Sequence, residues 1–136
     1  MASIRKEMAL PLAAEAVWNV FADVGAVHTR LAPGFVTDCV LEEGSRLVTF
    51  ANGVTVRELL VDVDDARRRL AYSVAGGSAS HHHATFEVLP EGEGSRLVWT
   101  ADVLPHEVAP VFEMMMSQGM ETMARSFQTP NSTHSG

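Results

Sequence analysis

Arg46-Leu47-Val48-Thr49-Phe50-Ala51-Asn52-Gly53-Val54-Thr55-Val56-Arg57-Glu58-Leu59-Leu60 decides how this chain folds. Its centre, Asn52-Gly53, is the strongest short hairpin signal, because the tight turn between two strands needs residues that accept positive φ. Arg46 to Ala51 is therefore expected as one strand and Val54 to Val63 as its antiparallel partner. Outward toward the C-terminus, Asp64-Asp65-Ala66-Arg67 turns the chain and Arg69 to Val74 returns it. Gly76-Gly77-Ser78 turns it again, and Ser80 to Leu89 and Ser95 to Val103 form a last hairpin around Pro90-Glu91-Gly92-Glu93-Gly94. Outward toward the N-terminus, Glu42-Glu43-Gly44-Ser45 is a turn and Phe35 to Leu41 a strand. Strand candidates that follow one another with short turns predict an antiparallel meander, and Ser3 to Leu10, apolar near period two, adds a strand at the start.

Helical patterns flank this run on both sides. Ala13 to Val24 places Val17, Val20, Phe21 and Val24 on one stripe, with Trp18 beside it. Gly25 interrupts the pattern, and Ala26 to Leu31 is expected as a second short helix before the Pro33-Gly34 turn. At the other end Phe112, Met116, Gly119 or Met120, Met123 and Phe127 recur every three or four residues. Proline is tolerated only in a first helical turn, so Pro105 and Pro110 put the regular start near Ala109, and Pro130 is expected to end the helix. The expected fold class is α+β: a curved antiparallel sheet of about seven strands wrapped around a long C-terminal helix, with one or two short helices after the first strand. Residues 1–128 form one domain and residues 129–136 a flexible polar tail.

Composition excludes several function classes. The net charge of −7 argues against nucleic acid, whose phosphates call for clustered Lys and Arg. The one basic run, Arg67-Arg68-Arg69, follows Asp62, Asp64 and Asp65 and reads as a solvated turn. Cys39 is the only cysteine, so no intrachain disulfide forms, which fits a reducing, cytoplasmic setting. The N-terminus lacks the apolar core of a signal peptide, and no apolar run approaches the ~20 residues of a membrane span.

The order of parts, with several local stretches, resembles the helix-grip superfamily, also called Bet v 1-like, START-like or SRPBCC. The stretches are Ala16-Val17-Trp18-Asn19-Val20-Phe21-Ala22-Asp23-Val24, Ala32-Pro33-Gly34, Val56-Arg57-Glu58-Leu59-Leu60 with Leu70-Ala71-Tyr72-Ser73-Val74, and Ser95-Arg96-Leu97-Val98-Trp99-Thr100. They look most like its bacterial polyketide cyclase/dehydrase branch and cover residues 3 to 128. In that branch a Trp commonly precedes the Pro-Gly turn; Ala32 stands there in this chain, which would change one wall or rim of a pocket. The resemblance implies a ligand cavity between sheet and helix. It does not by itself imply an enzyme.

Five groups of residues are candidates for chemistry. His81-His82-His83 lies on a strand, where alternation puts His82 inward with Ala84, Phe86 and Val88, and His81 and His83 outward. Two histidines two apart can ligate a metal, but zinc needs a third or fourth ligand that has no partner here, so no metal site is expected. His82 is instead a candidate acid/base group or hydrogen-bond partner. Glu58 sits mid-strand among apolar neighbours, and either it or Arg57 points into the cavity. An inward carboxylate is desolvated unless Arg or His pairs with it. If Glu58 faces inward, Glu58→Leu should leave stability unchanged or higher, because a desolvated charge is removed. Tyr72 and Trp99 offer polar tips on apolar bodies, suited to orienting a ligand. The methionines of the last helix form an adaptable wall. Cys39 has no His near it in sequence and reads as a small buried hydrophobe.

The expected cavity lining is thus Trp18, Phe35, Phe50, Glu58, Tyr72, His82, Phe86, Trp99, Met116, Met120 and Met123, with Glu58, His82 and Tyr72 as catalytic candidates. The expected function is a carrier or sensor of a hydrophobic small molecule, aromatic, polyketide or lipid-like, acting without a cofactor as a monomer or homodimer. The alternatives are a polyketide cyclase, aromatase or dehydratase that moves protons in the same cavity, and a protein-interaction role like that of Hsp90 activators.

Overall fold

Alternation builds the sheet. In β6, His81–Glu91, the side chains of Ala84, Phe86 and Val88 are buried while Thr85 and Glu87 between them stay half-exposed. A computed structural model describes the backbone of residues 2–76 and 79–134 and the side chains of residues 2–76 and 79–128. The expected turn at Gly76-Gly77-Ser78 therefore lies, from Gly77 on, outside the described residues.

Among the described residues seven strands pair in the order β1-β7-β6-β5-β4-β3-β2, every pair antiparallel. They are β1 Ala2–Leu10, β2 Val36–Glu42, β3 Ser45–Phe50, β4 Thr55–Asp64, β5 Arg69–Ala75, β6 and β7 Gly94–Leu104. The meander runs unbroken from β2 to β7, and β1 closes it against β7. Gly53, at φ 89°, takes the left-handed conformation that the β3–β4 turn demands. One irregularity between Leu60 and Asp62 of β4 shifts the register and bends the sheet.

The helices occupy one side of the sheet. Helix α1, Ala14–Ala22, buries Ala14, Val17, Trp18 and Phe21. The second short helix is a five-residue π-helical turn, Val27–Leu31. Helix α2, Ala109–His134, follows a 3₁₀ turn at His106–Val108 and buries Phe112, Met116, Met120, Met123 and Phe127, the stripe expected from spacing. Pro130 does not end the helix, whose backbone runs on to His134.

The solid core sits where α1 meets the far part of α2. Phe21 packs on Phe86 at 4.8 Å and on Phe127 at 6.2 Å between ring centroids. Ser126 Oγ donates to the Arg30 carbonyl at 2.9 Å and ties α2 to the π-helical turn. The middle of α2 stands off from the concave face of the sheet, and the space between them is the cavity. No helix among the described residues is long and apolar enough to cross a membrane.

Candidate functional site: a cavity between sheet and helix

The cavity has a volume of about 540 Å³. Its sheet wall comes from the inward phase of β3 to β7: Arg46, Val48 and Phe50, then Val56 and Glu58, Tyr72 and Val74, His82 and Phe86, and Trp99. Its helix wall is Val111, Phe112, Met115, Met116, Gly119 and Met123 of α2. Val27, Leu31, Ala32, Phe35 and Val36, from the π-helical turn to the start of β2, close one side. Ala32, where the resemblance would place a Trp, is part of that side. The exposed lining residues Asn52, Val54, Gly76 and Val111 gather at the β3–β4 turn, the end of β5 and the start of α2, which marks the entrance.

Of the residues expected to line the cavity, Phe35, Phe50, Glu58, Tyr72, His82, Phe86, Trp99, Met116 and Met123 do so. Trp18 and Met120 do not. Among the described residues none of α1 lines the cavity; Trp18 packs in the core and donates Nε1–H to Asp65 Oδ1 at 2.9 Å beside a separate surface cleft with Glu15 and Asn19. Met120 is buried in the core. Its neighbour Gly119 faces the cavity, where a methyl group would stand 3.1 Å from Trp99 Cζ3 and 3.3 Å from Phe35 Cε2.

Glu58 faces inward and Arg57 outward, where Arg57 meets Glu42 on the sheet's outer face. Glu58 is not a lone carboxylate. Its Oε1 accepts Arg46 Nε–H at 2.8 Å, and both residues are buried, Arg46 at 3% and Glu58 at 7% exposure. Arg46 Nη1 also donates to the Val24 carbonyl at 3.0 Å. This pair overturns the expectation that Glu58→Leu is harmless, because truncating one partner strands a buried guanidinium. Arg46 is the principal site residue that sequence reasoning missed. A signal was available: Arg46 and Glu58 lie equally far from Asn52 on either side, so the Asn52-Gly53 hairpin makes them direct cross-strand partners.

Around the pair, the remaining polar groups are set in aromatic surroundings. Trp99 Nε1 donates to Tyr72 Oη at 3.1 Å. Trp99 stacks on Phe86 at 4.7 Å and Tyr72 on Phe86 at 6.0 Å, and the Arg46 guanidinium lies 5.8 Å from the Tyr72 ring centre. Burial, reinforced by the Glu58 charge, holds the Tyr72 hydroxyl protonated far above the ordinary tyrosine value. His82 packs edge-on against Phe112 at 4.8 Å. Burial, with smaller contributions from His81 and His83, lowers it to about 4, so it is neutral at pH 7. His83 bonds Ser73 Oγ through Nδ1 at 3.2 Å, and His81 is exposed. No group of three or more His, Cys, Asp or Glu side chains among the described residues is placed to hold a metal ion. Cys39 is buried, and burial pushes its thiol up.

The family model for polyketide cyclase / dehydrase and lipid transport matches residues 1–129. The chain belongs to this family. Solved structures repeat the fold at low identity. XoxI from Bacillus cereus is similar with a TM-score of 0.84 at 20% identity, over 94% of this chain and 96% of that one. A protein from Thermobifida fusca is similar with a TM-score of 0.76 at 25% identity, over 93% of each chain. Norcoclaurine synthase from Thalictrum flavum, solved with dopamine and hydroxybenzaldehyde, is similar with a TM-score of 0.71 at 19% identity, over 98% of this chain and 87% of that one. No curated protein matches the sequence. Family and fold are consistent with a hydrophobic small molecule as the cavity's occupant.

Proposed function

We propose that this protein is a carrier or sensor that binds one hydrophobic small molecule, aromatic, polyketide or lipid-like, between its sheet and α2. The observation that carries this reading is the cavity itself: about 540 Å³, within the range of small-molecule sites, walled by Phe, Val, Met and Trp with a few convergent polar groups. The polar groups favour holding over turnover. Glu58 is committed to Arg46 by a hydrogen bond, and burial keeps Tyr72 protonated, so Tyr72 is not poised to give up its proton near neutral pH. Native mass spectrometry of protein purified without stripping tests the reading. A bound mass that disappears on filling the cavity by Gly119→Phe, with the fold retained, supports it; protein that is empty and takes up no apolar probe sinks it.

The enzyme reading rests on one observation, a neutral His82 on the cavity wall. A cyclase or dehydratase would lose turnover in His82→Gln while still binding its substrate; a carrier has no turnover to lose. A base lowered to about 4 is weak at pH 7, which leaves binding as the better account.

A further inference from the structure

The two charges in the cavity wall cancel, but their hydrogen-bonding capacity is only partly used. Arg46 spends Nε on Glu58 Oε1 and Nη1 on the Val24 carbonyl. Among the described residues Glu58 Oε2 receives no donor, although the residue lines the cavity. Tyr72 Oη accepts the Trp99 indole N–H and keeps its own proton to give. An unused carboxylate oxygen and an unused hydroxyl proton thus border the same apolar space, with Arg46 between them: bonded to Glu58 and 5.8 Å from the Tyr72 ring.

Resting on the reading of the cavity as a ligand site, we infer that it selects a neutral ligand bearing a hydroxyl group, which donates to Glu58 and accepts from Tyr72, and that Glu58 excludes carboxylate ligands of the same shape. A buried arginine would ordinarily invite an anion. Here Arg46 is already neutralised, and an incoming carboxylate would stand beside Glu58, where like charges repel strongly because water is excluded. Arg46 could offer a newcomer only its remaining Nη donors while Nε stays on Glu58, so an incoming carboxylate would be held beside a like charge. A cation meets the mirror-image problem, since Glu58 is committed to Arg46. A neutral hydroxyl brings one donor and one acceptor, matching Glu58 Oε2 and the Tyr72 hydroxyl proton, and so recovers its desolvation cost. Selection comes from what the site repels as much as from what it attracts.

The test compares three probes of one shape, 2-naphthol, 2-naphthoate and 2-naphthylmethylammonium, by calorimetry at neutral pH, where they are neutral, anionic and cationic. The wild-type protein is expected to bind 2-naphthol at least about tenfold more tightly than either ion. Glu58→Gln, which keeps a hydrogen-bonding group for Arg46, should raise 2-naphthoate at least about tenfold relative to 2-naphthol. Arg46→Gln should do the same for the ammonium probe. Circular dichroism checks each variant's fold; if either variant does not fold, the wild-type ratios and the other variant decide. Equal affinity of wild type for all three probes, or a folded Glu58→Gln with an unchanged naphthoate-to-naphthol ratio, overturns the inference while leaving the cavity reading intact. No binding of any probe to wild type removes the cavity reading and the inference together.

Discussion

The sheet side of the cavity carries Arg46, Glu58, Tyr72, His82 and Trp99, whereas the helix side carries only Val111, Phe112, Met115, Met116, Gly119 and Met123. Four of these sheet groups are fixed by partners on other strands: Arg46 on β3 with Glu58 on the adjacent β4, and Trp99 on β7 with Tyr72 on β5, across β6. The helix groups have no hydrogen bonds to lose, and methionine adapts its three torsions to whatever fills the space. Orientation of a ligand is therefore a property of the sheet, and tolerance of its shape a property of α2. The two walls should answer mutation very differently.

The largest expected effect is on the sheet wall. Glu58→Leu should destabilise the protein by about 3–5 kcal/mol, because it strands a buried Arg46. Adding Arg46→Met should restore most of that loss, and urea denaturation of the single and double variants measures both. A single variant as stable as wild type would mean that the pair contributes nothing to the rigidity of this wall. Tyr72→Phe comes next. It leaves the Trp99 N–H without its partner and should cost about 1–2 kcal/mol in the same assay, with a changed tryptophan emission.

His82 separates the walls by pH. Its value is lowered from 6.5 to about 4, so the unfolded chain takes up its proton at a higher pH than the folded protein does. The folded state keeps its full advantage above about 6.5 and loses it progressively as pH falls toward about 4. Partial exposure of the ring reduces the size of this effect. His82→Leu should flatten that part of the stability profile, and an unchanged profile would assign the acid sensitivity to other groups. The smallest effect belongs to the helix wall: Met116→Leu should cost less than about 1.5 kcal/mol. If it costs more than Tyr72→Phe, the contrast between a rigid and a tolerant wall is broken.

The sheet was legible because its signals are periodic. Alternation through Ala84, Phe86 and Val88 gave the inward face of β6, and Asn52-Gly53 gave the β3–β4 turn. The helix stripe from Phe112 to Phe127 was equally plain, but its end was not, since a single proline does not settle where a backbone stops. The site was legible residue by residue and less so in its pairings. Glu58 stood out as a charge among apolar neighbours, while Arg46, at the head of a strand next to a polar turn, carried no such signal by itself. Only the hairpin register reveals that the two belong together. Trp18 was misplaced because α1 as a whole packs on the solid core and not on the cavity. Its indole serves Asp65, and Trp99 is the tryptophan of the cavity.

Gly119 sets the capacity of this protein. Its bare backbone lets α2 close on the rings of Trp99 and Phe35, because a methyl group there would already stand 3.1 Å and 3.3 Å from them. Both rings line the cavity, so alanine would press on them, and a larger residue would drive them into the space meant for the guest. The push does not stop at the helix, because Trp99 is a strand residue whose indole N–H is held by Tyr72 Oη. Size of cargo and polarity of cargo therefore meet at one indole. A laboratory re-sizing the guest at this glycine would re-tune its polar contacts at the same time.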